Sequence, residues 1–161
     1  MAVNRGKSFE LKVREDLKKV PGISIDRLTD SMSGYYNVKN ISDLIFYRYP
    51  FICYGEIKSH LGNTFPLANL TQYEKLLTKK DIKGVRAGVI LWFIEHDKVL
   101  WVPIKTFERA KQDGLKSISV KMDFEKYNIL EIPSVKRRVF LDSDYSYLFR
   151  VWEKELEEDG K

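Results

Sequence analysis

Apolar residues recur along this chain with two periods. Phe9, Val13, Leu17 and Val20 fall on one stripe at helical spacing, which predicts a helix from Asn4 to Lys19, capped by Asn4 or Ser8 and stopped by Pro21-Gly22. Ser24 to Leu28 reads as a short strand, and Thr29 to Asn40 has loop composition with two tyrosines. Ser42 to Tyr47 and Phe51 to Lys58 are rich in aromatic and β-branched residues and flank Tyr49-Pro50, which predicts a hairpin. After a loop from Ser59 to Thr64, Asn69 caps a second predicted helix to about Lys80, with Gln72 at its third position and Leu70, Tyr73 and Leu77 facing inward. Ala87 to Ile94 is apolar without alternation, the pattern of a strand buried on both faces, and Val99 to Val102 is a further core strand ended by Pro103. Lys105 to Lys111 and Asp144 to Leu156 read as helices, the latter with Tyr147, Val151 and Leu156 as its contacts. The order α-β-β-β-α-β-β, with helices at the C-terminal end, predicts an α/β domain around a mixed sheet of about five strands. All 161 residues are taken as one domain, with an acidic, frayed end from Trp152.

The predicted hairpin also carries candidate chemistry. With Tyr49-Pro50 as its turn, paired positions total 99, and Asp43 lies opposite Glu56; a shift by two places it opposite Lys58 instead. Side chains alternate with period two, so either register puts Asp43, Glu56 and Lys58 on one surface. Partners across a strand pair are about 5 Å apart at Cβ, close enough for two carboxylates to share a divalent cation. The acid-x-base triplet alone carries no information. With 23 acids and 28 bases, about four are expected by chance, and the chain holds five: Glu10-Leu-Lys12, Asp16-Leu-Lys18, Glu56-Ile-Lys58, Asp81-Ile-Lys83 and Asp159-Gly-Lys161. What distinguishes the third is a carboxylate on the partner strand. The same residues also read as a solvated cross-strand ion pair.

Composition narrows the classes. Hydrophobic content of 43% with 13% aromatics excludes a disordered chain. No apolar run is long enough to cross a bilayer, Met-Ala-Val-Asn-Arg does not open a signal peptide, and a single cysteine, Cys53, fits a reducing cytosol. One cysteine and two histidines cannot build a structural zinc site, and glycine motifs for phosphates or dinucleotides are missing, so no organic cofactor is expected. Oxygen ligands point to Mg2+ or Mn2+. The net charge is +5, but the last ten residues hold five acids and two bases, leaving the body at +8 and suited to a polyanion.

Three segments together resemble a known family. Asn4-Arg5-Gly6-Lys7-Ser8-Phe9-Glu10, the Asp43 to Glu56-Ile57-Lys58 spacing, and Thr64-Phe65-Pro66-Leu67-Ala68-Asn69 with Gln72 behind it are similar to RecU-type Holliday-junction resolvases. These are PD-(D/E)xK nucleases of Gram-positive bacteria and their phages. The resemblance runs from about Asn4 to about Phe149. It implies a restriction-endonuclease-like core and a cytoplasmic homodimer that cuts two strands of a four-way DNA junction with Mg2+ or Mn2+. It further implies that Asp43, Glu56 and the Ile57 carbonyl hold the metal, that Glu10 approaches it directly or through water, and that Lys58 orients or deprotonates the attacking water. Gln72 matches the polar residue of the family's second helix, and Ser42 a small hydroxyl residue before the aspartate. Two features depart from the family: the stretch available for its projecting stalk, Thr29 to Asn40, is several residues shorter, and the acidic tail is unexpected.

Arg5, Lys7, Lys39, His60, Lys136, Arg137 and Arg138 are candidate phosphate contacts, and Tyr35 and Tyr36 candidate stacking partners for unpaired bases. Each has a plainer reading. Glu10 can pair with Arg14 at i+4, Gln72 can complete a capping box with Asn69, the tyrosines can pack their own loop, and a basic triplet can be a solvated loop. Three function classes follow: a junction-selective endonuclease, another nuclease of the same superfamily acting on duplex or repair substrates, and a non-catalytic nucleic-acid-binding domain.

Overall fold

The computed structural model describes residues 5–29 and 40–160; Asn4, Tyr35, Tyr36 and Lys39 lie outside them. In chain order the elements are α1 (Arg5–Leu17), β1 (Ser24–Arg27), β2 (Leu44–Arg48), β3 (Phe51–His60), β4 (Thr64–Pro66), α2 (Tyr73–Leu77), β5 (Val85–Phe93), β6 (Lys98–Pro103), α3 (Ile104–Gln112), β7 (Ser117–Ser119), β8 (Leu130–Glu131), β9 (Ser134–Lys136), β10 (Leu141–Ser143) and α4 (Ser146–Asp159). The expected α-β-β-β-α-β-β core is present. Its sheet has six strands in the order β1-β2-β3-β5-β6-β8, one more than expected, because the two-residue β8 is too short to leave a periodic signature. It is mixed: β3 and β5 run parallel and every other neighbouring pair antiparallel. Pairs β4–β7 and β9–β10 form two small separate sheets.

Two apolar layers hold the sheet. One face carries Phe46, Cys53, Ile57, Ile90, Trp92 and Trp101 beneath α1 and α4; the other carries Val89, Leu91, Leu100 and Val102, clustered with Phe107 of α3 and Leu76 of α2. The α1 stripe is as expected, with Phe9, Val13, Leu17 and Val20 all at most 4% exposed. β5 is buried on both faces from Ala87 to Phe93, as its unbroken apolar run requires. Cys53 is fully buried in the core on the face opposite Glu56.

Several local expectations are corrected. The second helix is only Tyr73–Leu77; Leu67–Asn69 forms a 3-10 turn, and the N-cap is Gln72, without a side-chain cap bond. The capping box of Asn69 and Gln72 therefore does not form. β3 runs on to His60, so the loop after it is shorter than expected. α4 buries Leu148, Phe149 and Trp152; of its expected contacts Val151 and Leu156 pack half-buried against the same core, and Tyr147 is half-buried. The acidic end is helical as far as Asp159, because Trp152 is locked between Phe51, Trp101 and Phe149 at centroid distances of 5.7, 5.5 and 5.2 Å.

Candidate active site

The β2–β3 hairpin takes the register expected from its turn. Arg48 pairs with Phe51, Phe46 with Cys53 and Leu44 with Gly55, so Tyr49-Pro50 is a two-residue connection and Asp43 falls opposite Glu56. The Phe46 ring lies over Gly55, where an added Cβ would come within 3.0 Å of it, so the residue before Glu56 has to be small. Asp43 itself stands one residue before β2 and is fixed from three sides. Its carbonyl accepts from Leu28 N at 2.9 Å, its carboxylate Oδ2 accepts from Ile57 N at 2.7 Å, and the buried Ser42 hydroxyl ties the chain back by donating to Leu44 O at 2.8 Å. In an extended strand N–H and C=O of one residue point to the same edge, so the Ile57 carbonyl faces the side on which Asp43 sits.

Glu56 is 3% exposed, and its Oε2 atom has no hydrogen-bond partner. Lys58 Nζ lies 3.7 Å from Glu56 Oε1 with its own side chain 29% exposed. Burial, with Asp43 and Glu10 adding negative charge nearby, pushes the Glu56 carboxyl up to about 9, and Lys58 only partly offsets this. The two carboxyl groups hydrogen-bond to each other, and such a pair can share a proton or, once it is lost, a cation. A hard divalent ion fits this pair: the donors are all oxygen, one buried oxygen is orphaned, and a main-chain carbonyl faces the same edge. Among the described residues no three His, Cys, Asp or Glu side chains are grouped to hold an ion, so Glu10 does not join Asp43 and Glu56 in one cluster.

The remaining expected residues are placed as follows. Glu10 does not pair with Arg14; its Oε1 accepts from Arg27 Nε at 2.9 Å, and it stands near enough to act on Glu56 electrostatically. Arg27, not foreseen from the sequence, sits on β1 directly opposite Leu44, next to Asp43. The sequence carries no local signal for it, because the pair with Glu10 spans 17 residues. Gln72 is half-buried and accepts from Thr71 Oγ1 at 2.9 Å; this is its described bond, and it does not reach the carboxylates. His60 is on the face of Lys58 but packs edge-on against Phe65 and Phe93, with centroids at 5.7 and 6.1 Å. Arg5 and Lys7 are exposed on the first turns of α1. Lys136 pairs with Asp97 at 3.0 Å and Arg137 with Asp142 at 2.6 Å, while Arg138 is exposed. Asp97 closes the turn between β5 and β6, beside the end of β3, so this basic hairpin stands at the carboxylate end of the sheet.

The architecture has a solved counterpart. The structure of Hjc, a Holliday junction resolvase from the hyperthermophilic archaeon Archaeoglobus fulgidus, superposes with a TM-score of 0.54 over 78% of this chain and 95% of that one. The two chains share a fold. At 20% identity the likeness is one of fold alone. No family model matches the chain, and no curated protein matches it by sequence.

Proposed function

We propose that this chain is a divalent-metal-dependent DNA endonuclease of the RecU type, which cuts paired strands of four-way junctions in recombination. It would act as a homodimer in the cytosol of a Gram-positive bacterium, encoded by the host or by a phage. The observation that carries this reading is the carboxylate of Glu56, buried, with one oxygen orphaned and set against Asp43 with Lys58 beside it, on the hairpin of a fold shared with Hjc. That the protein sharing this fold is a Holliday junction resolvase supports the substrate class.

Asp43 and Glu56, with the Ile57 carbonyl, would hold Mg2+ or Mn2+, and Glu10 would add its charge directly or through water. When bound, the ion supplies Lewis acidity to a phosphodiester and makes water a stronger acid. The chain's own residues do the rest. The Ile57 amide fixes the orientation of Asp43 before any ligand arrives, which lowers the reorganisation needed on binding. Glu56 must give up its proton, so loading is favoured as pH rises. Lys58, within ion-pair distance of Glu56 and open to solvent, is placed to orient the attacking water or to stabilise charge developing on phosphate oxygens. Arg5, Lys7, His60, Lys136, Arg137 and Arg138 would contact phosphates, as would Lys39, with Tyr35 and Tyr36 against unpaired bases. Gln72 would need to turn from Thr71 to face the site.

The deciding experiment incubates the purified chain with labelled four-way junction, linear duplex and single strand, with and without Mg2+. The reading expects symmetric, Mg2+-dependent nicks confined to the junction. Cleavage of plain duplex at the same rate would make it a general nuclease, and binding without cleavage in either metal would leave a DNA-binding domain.

A further inference from the structure

The hairpin of β9 and β10 is exposed, with Val135 and Val139 57% and 59% open to solvent, and its tip is not built like a solvated loop. Arg137 N donates to Phe140 O at 2.9 Å, closing a tight turn over Arg137, Arg138, Val139 and Phe140. Behind the tip every neighbour is anchored. Phe140 stacks on Trp92 at 5.4 Å, Lys136 is held by Asp97, and Arg137 by Asp142, which is itself bound by Lys12 of α1 at 2.5 Å. What projects is Val139, 59% exposed, beside Arg138, which has no ion-pair or hydrogen-bond partner among the described residues. A rigid turn that presents a bulky apolar side chain and a free guanidinium to water gains nothing for the fold from either.

The tip is tied to α1, the helix that carries Glu10, through a short aromatic chain. Phe140 rests on Trp92, Trp92 lies 5.1 Å from Phe9, and Phe9 precedes Glu10. Trp92 is also the β5 partner of Ser59, the residue after Lys58. The hairpin therefore stands on the α1 face of the sheet, two ring contacts from the residue that precedes Glu10, at the end of the sheet to which β3 carries Lys58.

We infer that the Arg138-Val139 tip is a wedge that reads the branch point of DNA, resting on the nuclease reading given above. Val139 would press against the face of a base pair that the branch leaves unstacked, and Arg138 would hold the adjoining phosphate. A continuous duplex offers no such open face without paying for unstacking, so this contact selects branched DNA by shape and reads no base edges.

The test uses the full-length chain in metal-free buffer with a four-way junction carrying 2-aminopurine beside the branch. The wild type should raise its fluorescence on binding. Val139→Ser should lose the rise and bind the junction about tenfold more weakly, the factor set by about 1.4 kcal/mol. Arg138→Ala should keep the rise but weaken binding and make the slope of log K against log salt shallower by about one. Both positions are exposed, so unchanged melting temperatures would verify that the variants fold. If Val139→Ser keeps the rise and the affinity of the wild type, the wedge is refuted while the nuclease reading stands. If the wild type itself shows no preference for junction over duplex, the wedge and the junction assignment both fall.

Discussion

Two carboxylate clusters in this molecule sit within one helix and one hairpin of each other and are treated in opposite ways. Around Asp16, 2% exposed at the end of α1, every oxygen is satisfied: Lys12 at 2.9 Å and Lys19 at 3.3 Å donate to Oδ1, and Ser143 N donates to Oδ2 at 3.0 Å. Its neighbour Asp142, bound by Lys12 and Arg137, is held down to about 2. Glu56 is likewise a buried carboxyl, but it is set against another acid, left with an orphaned oxygen, and driven up to about 9. The first cluster joins α1 to β10 and stabilises the fold. The second opposes it. A buried acid that weakens the native state is the usual mark of a site shaped for a ligand.

Substitutions should break this contrast most sharply at the second cluster. Asp43→Asn or Glu56→Gln is expected to lower cleavage at least about a thousandfold, roughly 4 kcal/mol of barrier, while junction binding persists or tightens as negative charge near phosphate is removed. Gel-based cleavage and binding assays on one preparation would check both. At the first cluster, Asp16→Ala should destabilise by about 3 kcal/mol in a denaturant titration, because Lys12 and the Ser143 amide lose a buried partner. Lys58→Ala should slow single-turnover cleavage by about a hundredfold with little change in Mg2+ affinity.

The smallest effect concerns pH in the metal-free protein, and the two clusters carry opposite signs. Below about pH 4.5 Glu56 is neutral in both the folded and the unfolded chain; from there to about 9 only the unfolded chain sheds its proton, so stability declines as pH rises. Asp142 works the other way. Its contribution is present above its ordinary value of 3.8 and is lost as pH falls through about 2. Melting curves from pH 5 to 9 should show the decline in the wild type and a flatter profile in Glu56→Gln.

How far the sequence could be read depended on the range of each interaction. The hairpin was legible because period two, a Tyr49-Pro50 stop and the total of 99 constrain one another, and the structure keeps that register. The helix after Asn69 misled because a local capping signal was overridden: Leu67 and Leu70 are buried in the α3-side core, which bends the chain into a 3-10 turn there. The Glu10 to Arg27 pair spans 17 residues and two elements, beyond any periodic pattern. Asp16 was more accessible: three residues past Val13, it lies on the apolar stripe of α1, where an acid calls for buried partners. On α4 the contacts Val151 and Leu156 were legible, but the deepest residues, Leu148, Phe149 and Trp152, were not, because apolar side chains occupy several faces of that helix.

The central claim is that Asp43 and Glu56 together hold a divalent cation, and calorimetric titration of Mn2+ into the metal-free chain at pH 7 tests it most directly. Repeated in buffers of different ionisation enthalpy, it should show saturable binding with release of about one proton, since Glu56 starts protonated, and both the binding and the release should vanish in Glu56→Gln. Binding of equal strength in Glu56→Gln, or no binding by the wild type at millimolar Mn2+, would contradict the account.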